Sequence, residues 1–200
     1  MNRLLAAGLA GTLSLTLVAC GGGGDADSAP SPAPAPAAAP AAAPAAAPGG
    51  GVMAQDWVVV DEAAQTVTIT LVAGQTTANN RWNYNGHSNG DATVVVPEGY
   101  AITINFSNED PANLHSVAVL EGGTFPATFD AGTTPVFDGA ISSNATSMTE
   151  ATANGETETL TFTASSAGEY ALVCLVPAHA LTGMWIGFEV SASGEAGVRM

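Results

Sequence analysis

Lysine is missing from this 200-residue chain, and arginine occurs only at positions 3, 81 and 199. That scarcity excludes nucleic acid as a partner, because phosphate contacts need Lys and Arg. Eighteen Asp and Glu stand against those three cations, for a formal net charge of −15. The balance admits basic protein partners, although charged residues are only 10% of the chain. Cysteine is almost absent as well, with Cys20 and Cys174 alone, and histidine occurs three times, as His87, His115 and His179. No stretch carries a long amphipathic helical repeat, which argues against a helical fold.

What is present falls into distinct regions. "MNRLLAAGLAGTLSLTLVAC" places Arg3 before an apolar run that ends at Cys20. Charge followed by a short apolar run is the order of an export signal, and the run is short for a retained membrane span. "LVAC" reads as a lipobox, so residues 1–19 are expected to be a lipoprotein signal peptide and Cys20 the acylated residue. Residues 20–51 are the lipidated Cys followed by a Gly-, Pro- and Ala-rich linker. Proline stops its alanine runs from becoming helix. Such a spacer reaches on the order of 90 Å when extended. Residues 52–191 are the expected folded domain, and 192–200 a C-terminal tail.

Within 52–191 the pattern is that of strands. "WVVVD", "TVTITLV", "RWNYN", "ATVVVPEG", "AITINFSN", "LHSVAVL", "TLTFTAS", "EYALVC" and "MWIGFEV" are short, rich in β-branched and aromatic residues, and separated by Gly, Asn, Asp and Pro. In "TVTITLV" the threonines alternate with apolar residues, as on a half-buried strand. Seven to nine such strands predict an all-β Greek-key sandwich. Residues 121–156 lack periodicity and read as a loop excursion with a short helix near 143–153, more decoration than machinery.

The chemistry concentrates in "CLVPAHALTGMW", residues 174–185. With Cys20 acylated, Cys174 has no disulfide partner, an unusual state for an exported protein. Cys174, His179 and Met184 offer a thiolate, an imidazole and a thioether. That set, with a second imidazole, suits copper in a trigonal His2Cys site with a weak axial Met. One short loop cannot surround a metal, so the second His must come from elsewhere. His115, in "DPANLHSVAVL", starts a strand and is the expected ligand; His87, in a Gly/Asn turn, is its competitor.

These residues resemble the cupredoxins, and within them the sulfocyanins and rusticyanins. The resemblance rests on the Cys-x4-His-x4-Met loop with "GMW", on "NLHS", and on "WNYNGHSNGDATVVVPEG" at 82–99. It implies a single type 1 copper held by His115, Cys174 and His179, with Met184 as the long axial ligand. It also implies supporting roles for three residues: Ser116 ties the two ligand segments together, Pro177 offers no N–H to the sulfur, and Gly183 permits close chain approach. Trp185 and Phe188 are expected to pack in the core. By the same resemblance His179 reaches the surface within an apolar docking patch of Val176, Pro177, Ala178, Ala180 and Leu181. The implied function is single-electron transfer between membrane-associated redox proteins, such as a c-type cytochrome or a terminal oxidase, at high potential. Neither catalysis nor a small-molecule substrate is expected. Sulfocyanins are commonly held at the membrane by an N-terminal hydrophobic segment, so a lipid anchor on the outer face of a bacterial membrane would differ in attachment alone. A copper oxidase or nitrite reductase would need more ligands than three His allow. Copper delivery and a metal-free binding sandwich remain the alternatives.

Overall fold

In a computed structural model, residues 51–122 and 134–200 are described. The expected signal peptide and Cys20 lie outside them, as does the linker up to residue 50. Among the described residues, nine strands form two sheets. They are β1 (Val58–Asp61), β2 (Thr66–Ala73), β3 (Thr93–Pro97), β4 (Ala101–Asn108), β5 (Ala118–Glu121), β6 (Thr157–Thr163), β7 (Gly168–Val173), β8 (Trp185–Ser191) and β9 (Gly197–Arg199). The first sheet has the order β1-β2-β4-β6 and the second β5-β7-β8-β3-β9. β2 runs parallel to β4, and β3 parallel to β8, so the chain crosses between sheets rather than meandering. This is the all-β sandwich that the alternation predicts.

The alternation becomes burial. Val67, Ile69 and Leu71 of β2 point inward beside Ile102, Ile104 and Phe106 of β4, and Leu160 and Phe162 of β6 join them. From the other sheet, Val94, Val96, Leu172, Ile186, Phe188 and Val190 close the same core. Each such side chain contributes roughly 1.5–3 kcal/mol when fully buried. A second, smaller cluster lies on the outer face of the second sheet: Ala118, Leu120, Ala171, Val173, Leu175 and Ala180, under Ile141 and Ala145.

Three expectations need correction. "RWNYN" is not a strand. Asn79, Asn80, Arg81 and Asn85 all adopt positive φ, a region that asparagine tolerates better than most residues. The chain there makes an irregular turn over Ala78–Arg81 with left-handed backbone at its centre, and Tyr84 meets β2 through one isolated bridge, to Ala73. Residues 192–200 are not a free tail: Val198 is fully buried and β9 pairs with β3. The described part of the excursion, 134–156, has turns and no helix. It is also more than decoration, since Phe137, Ala140 and Ala151 enter the main core.

Candidate metal centre

The register of the second sheet gathers the candidate ligands. β7 pairs with β8 so that Val173 faces Trp185. Cys174 therefore follows one strand directly opposite Met184, which precedes the other. The Cys174 N–H donates to the Met184 carbonyl at 3.1 Å. β5 pairs with β7 through Ala118 and Val173, which brings the segment ending in His115–Val117 alongside Cys174. The excursion secures that segment: the Thr152 carbonyl accepts from the His115 N–H at 3.0 Å, and Ser142 Oγ accepts from the Val117 N–H at 3.0 Å.

The loop from 174 to 184 folds tightly on itself. The His179 N–H donates to the Val176 carbonyl at 3.0 Å, closing a turn over Pro177 and Ala178. Ala178 has a φ of 73°, where a turn ordinarily prefers Gly. The His179 carbonyl in turn accepts from the Met184 N–H at 3.0 Å. Gly183 ends the loop's short 3-10 turn at a φ of 93°, and a Cβ there would stand 2.0 Å from Asn89 Oδ1.

His115, Cys174 and His179 converge, each buried, with ligand atoms within 4.8 Å of one another. The two Nδ1 atoms are 3.2 Å apart, and Cys174 Sγ lies 3.4 Å from His179 Nδ1 and 4.0 Å from His115 Nδ1. A triangle of those sides has its centre about 2.1 Å from each corner, which matches the roughly 2.0–2.3 Å that metal–nitrogen and metal–sulfur bonds span at zinc. The three donors therefore fit a metal in their plane. Met184 is fully buried in the core cluster that holds Cys174, whose N–H its carbonyl accepts.

The protonation states suit the same use. Burial lowers the His115 pKa, against the pull of Asp110. Burial and then the neighbouring His115 lower that of His179 to about 4. Both imidazoles are neutral at pH 7 and can offer a lone pair. His115 Nε2 is 3.0 Å from Asp110 Oδ2, so it carries the proton and leaves Nδ1 bare. Burial raises the Cys174 pKa, with Ser116 pulling the other way, so a bound cation is what would make it a thiolate. Ser116 Oγ lies 3.6 Å from Cys174 Sγ and accepts from the Leu175 N–H at 2.9 Å, linking the two ligand segments.

Other expected residues are placed as follows. His87 is not among the clustered donors; its ring neighbours Trp57 and lies 3.5 Å from Asp91. Phe188 is in the core, and Trp185 is half-buried against Gly90. Of the five docking residues, Val176 and Ala180 are buried, in the two core clusters. Pro177 and Ala178 are half-buried, and Leu181 is 41% exposed.

Three residues near the centre were not singled out by sequence reasoning. Asp110 is one. Trp82 stacks on the His179 ring, with centroids 4.2 Å apart. The fully buried Tyr84 donates its phenol hydrogen to the Ser116 carbonyl. The 82–99 block carried Trp82 and Tyr84 in view, and its packing against the ligand loop is their role.

Residues 54–197 match the sulfocyanin (SoxE) domain model. A sulfocyanin from Sulfolobus acidocaldarius is 29% identical over 125 residues, which span 60% of this chain and 61% of that protein's length. Among solved structures, dithionite-reduced auracyanin from Roseiflexus castenholzii is 27% identical, with a TM-score of 0.43, over 62% of this chain and 96% of that one. Rusticyanin from Thiobacillus ferrooxidans is 22% identical, with a TM-score of 0.40, over 68% and 87%.

Proposed function

The chain belongs to the sulfocyanin family of cupredoxins, and on that premise we propose that it carries single electrons, at high potential, between redox proteins at the outer face of a bacterial membrane. Members of that family bind one copper, and copper supplies a one-electron couple. His115 Nδ1, His179 Nδ1 and Cys174 Sγ would hold it, and the Met184 thioether would be a further, weak ligand. The observation that carries this reading is the set of three buried donors arranged around one point at metal-bond distance.

The chain's own residues then keep that geometry constant. His115 and Cys174 are tied to neighbouring strands, and Ser116, next to His115, bonds to Cys174 and Leu175 of the other ligand segment. Trp82 lies flat on His179 and restricts its ring. A frame that does not rearrange favours fast exchange of an electron. The apolar surroundings and the long thioether would raise the potential. Leu181, with the half-buried Pro177 and Ala178, offers a small apolar contact beside His179, of the size weak electron-transfer encounters use. The acidic remainder of the surface favours a basic partner, such as a c-type cytochrome, and a terminal oxidase would serve as the alternative acceptor. Acylated Cys20 and the linker would let the domain stand off the membrane.

The visible spectrum of the purified protein with added Cu(II) tests the proposal. An intense band toward the red, at one copper per chain and lost in His115→Ala, is expected. A colourless wild type would end the electron-carrier reading and leave a metal-free binding sandwich. Several coppers per chain without the band would point to delivery. For the anchor, mass spectrometry of the mature N-terminus should find diacylglycerol on Cys20, and Cys20→Ala should release the protein from membranes.

A further inference from the structure

We infer that Asp110 positions the His115 imidazole and, as a buried carboxylate, holds the reduction potential of the centre below the value its other groups would set. The inference rests on the copper reading above.

Asp110 and His115 are both wholly shielded from solvent, and Asp110 Oδ2 lies 3.0 Å from His115 Nε2. The carboxylate is built in on every side. Its Oδ1 accepts from the Ala112 N–H at 2.9 Å and the Asn113 N–H at 3.3 Å, and its Oδ2 accepts from Asn113 Nδ2 at 2.9 Å. The Asp110 N–H donates to Asn108 Oδ1 at 2.8 Å. At the end of β2, Gly74 packs so closely that a Cβ there would stand 2.6 Å from Asp110 Cβ. Side chain and backbone are therefore both fixed, and with them the ring plane of His115.

Two consequences follow. With Nε2–H committed to Asp110, His115 holds the tautomer whose Nδ1 lone pair faces Cys174 and His179. The second consequence is charge. Both Asp110 oxygens accept from N–H donors, Oδ1 from Ala112 and Asn113 and Oδ2 from Asn113 Nδ2, the arrangement of an ionised carboxylate, which is acceptor-only. Among the described residues no Lys or Arg pairs with it; its one ion-pair partner is His115. A buried carboxylate without a cation is costly. A metal on the far face of His115 supplies the missing positive charge. Because the oxidised centre carries one more positive charge than the reduced one, a fixed negative charge nearby favours the oxidised form.

The test compares the wild type with Asp110→Asn, which keeps the shape and removes the charge. In copper-loaded protein the variant should retain the intense thiolate band while its midpoint potential rises. A shift of tenfold or more in the oxidised-to-reduced ratio, 59 mV for one electron, is expected. An unchanged or lowered potential overturns the charge role. Independently, 15N NMR of the metal-free wild-type chain should show His115 protonated at Nε2 with a slowly exchanging proton. An Nδ1–H tautomer overturns the positioning role, and this readout decides if the variant fails to fold. A wild type without the blue band would defeat the copper reading instead, which the tautomer measurement keeps separate.

Discussion

Gly183, Ser116 and His179 each make a prediction at the scale of one residue. Gly183→Ala would put a Cβ on Asn89 Oδ1 and force a non-glycine residue to a φ of 93°. The backbone term alone costs about 1–2 kcal/mol, and urea unfolding should show at least that loss. Ser116→Ala leaves the buried Leu175 N–H without an acceptor. An orphaned buried donor costs about 1–3 kcal/mol, so the midpoint of denaturation should fall accordingly, with a shifted thiolate band in the copper-loaded protein. His179 fixes an acid limit on the metal-free chain. The unfolded imidazole takes a proton near pH 6.5, whereas the folded one resists until about 4. Between those values the unfolded chain binds more protons, so stability falls as pH falls. The loss should be on the order of 3 kcal/mol by pH 4, with little change between 7 and 8. Asp110, whose folded pKa is depressed, adds a loss in the same direction below the ordinary carboxylate range. A flat stability profile between pH 7 and 4 would contradict this assignment.

At the scale of elements, legibility followed period. β2 and β6 were readable because one face of each is buried, so Thr and apolar residues alternate. "RWNYN" has similar residues but packs its aromatics onto the metal site from a loop, and Arg81 and Asn85 bend the chain by adopting positive φ. β9 was invisible because three residues carry too short a period. Its contribution is nevertheless measurable. Ending the chain at Ala196 removes the buried Val198, the Arg199–Glu189 ion pair and the pairing along the edge of β3. A loss of roughly 2–3 kcal/mol and a lower Tm are expected, and the bared edge should promote aggregation. A truncated chain as stable and soluble as the full one would show that β9 merely rests on the sheet.

For the whole molecule, charge is the dominant property. A net charge of −15 on a chain with three cations creates a field that acts beyond contact distance. Electron exchange with a basic cytochrome should slow by about tenfold as salt rises from 0.01 to 0.15 M, because the screening length falls from about 30 Å to about 8 Å. Exchange with a neutral small oxidant should not change. Stopped-flow rates across that range test the point, and a salt-independent cytochrome rate would remove electrostatic steering from the account. Leu181→Asp should slow docking even at high salt, where the apolar contact beside His179 remains.

By itself the sequence determined the chemistry and the layer architecture. Donor types are read directly from residue identity, the x4 spacings are local, and alternation over five or more residues declares a buried face. Only the tertiary structure decided which atoms meet. Strand register set Cys174 opposite Met184 and beside His115, and two core clusters took Val176 and Ala180 out of the surface. The same packing recruited Asp110, Trp82 and Tyr84 to the centre. The physical reason is that these roles depend on contacts between segments distant in sequence. Such contacts are made by the closing of the sandwich and leave no period in the chain.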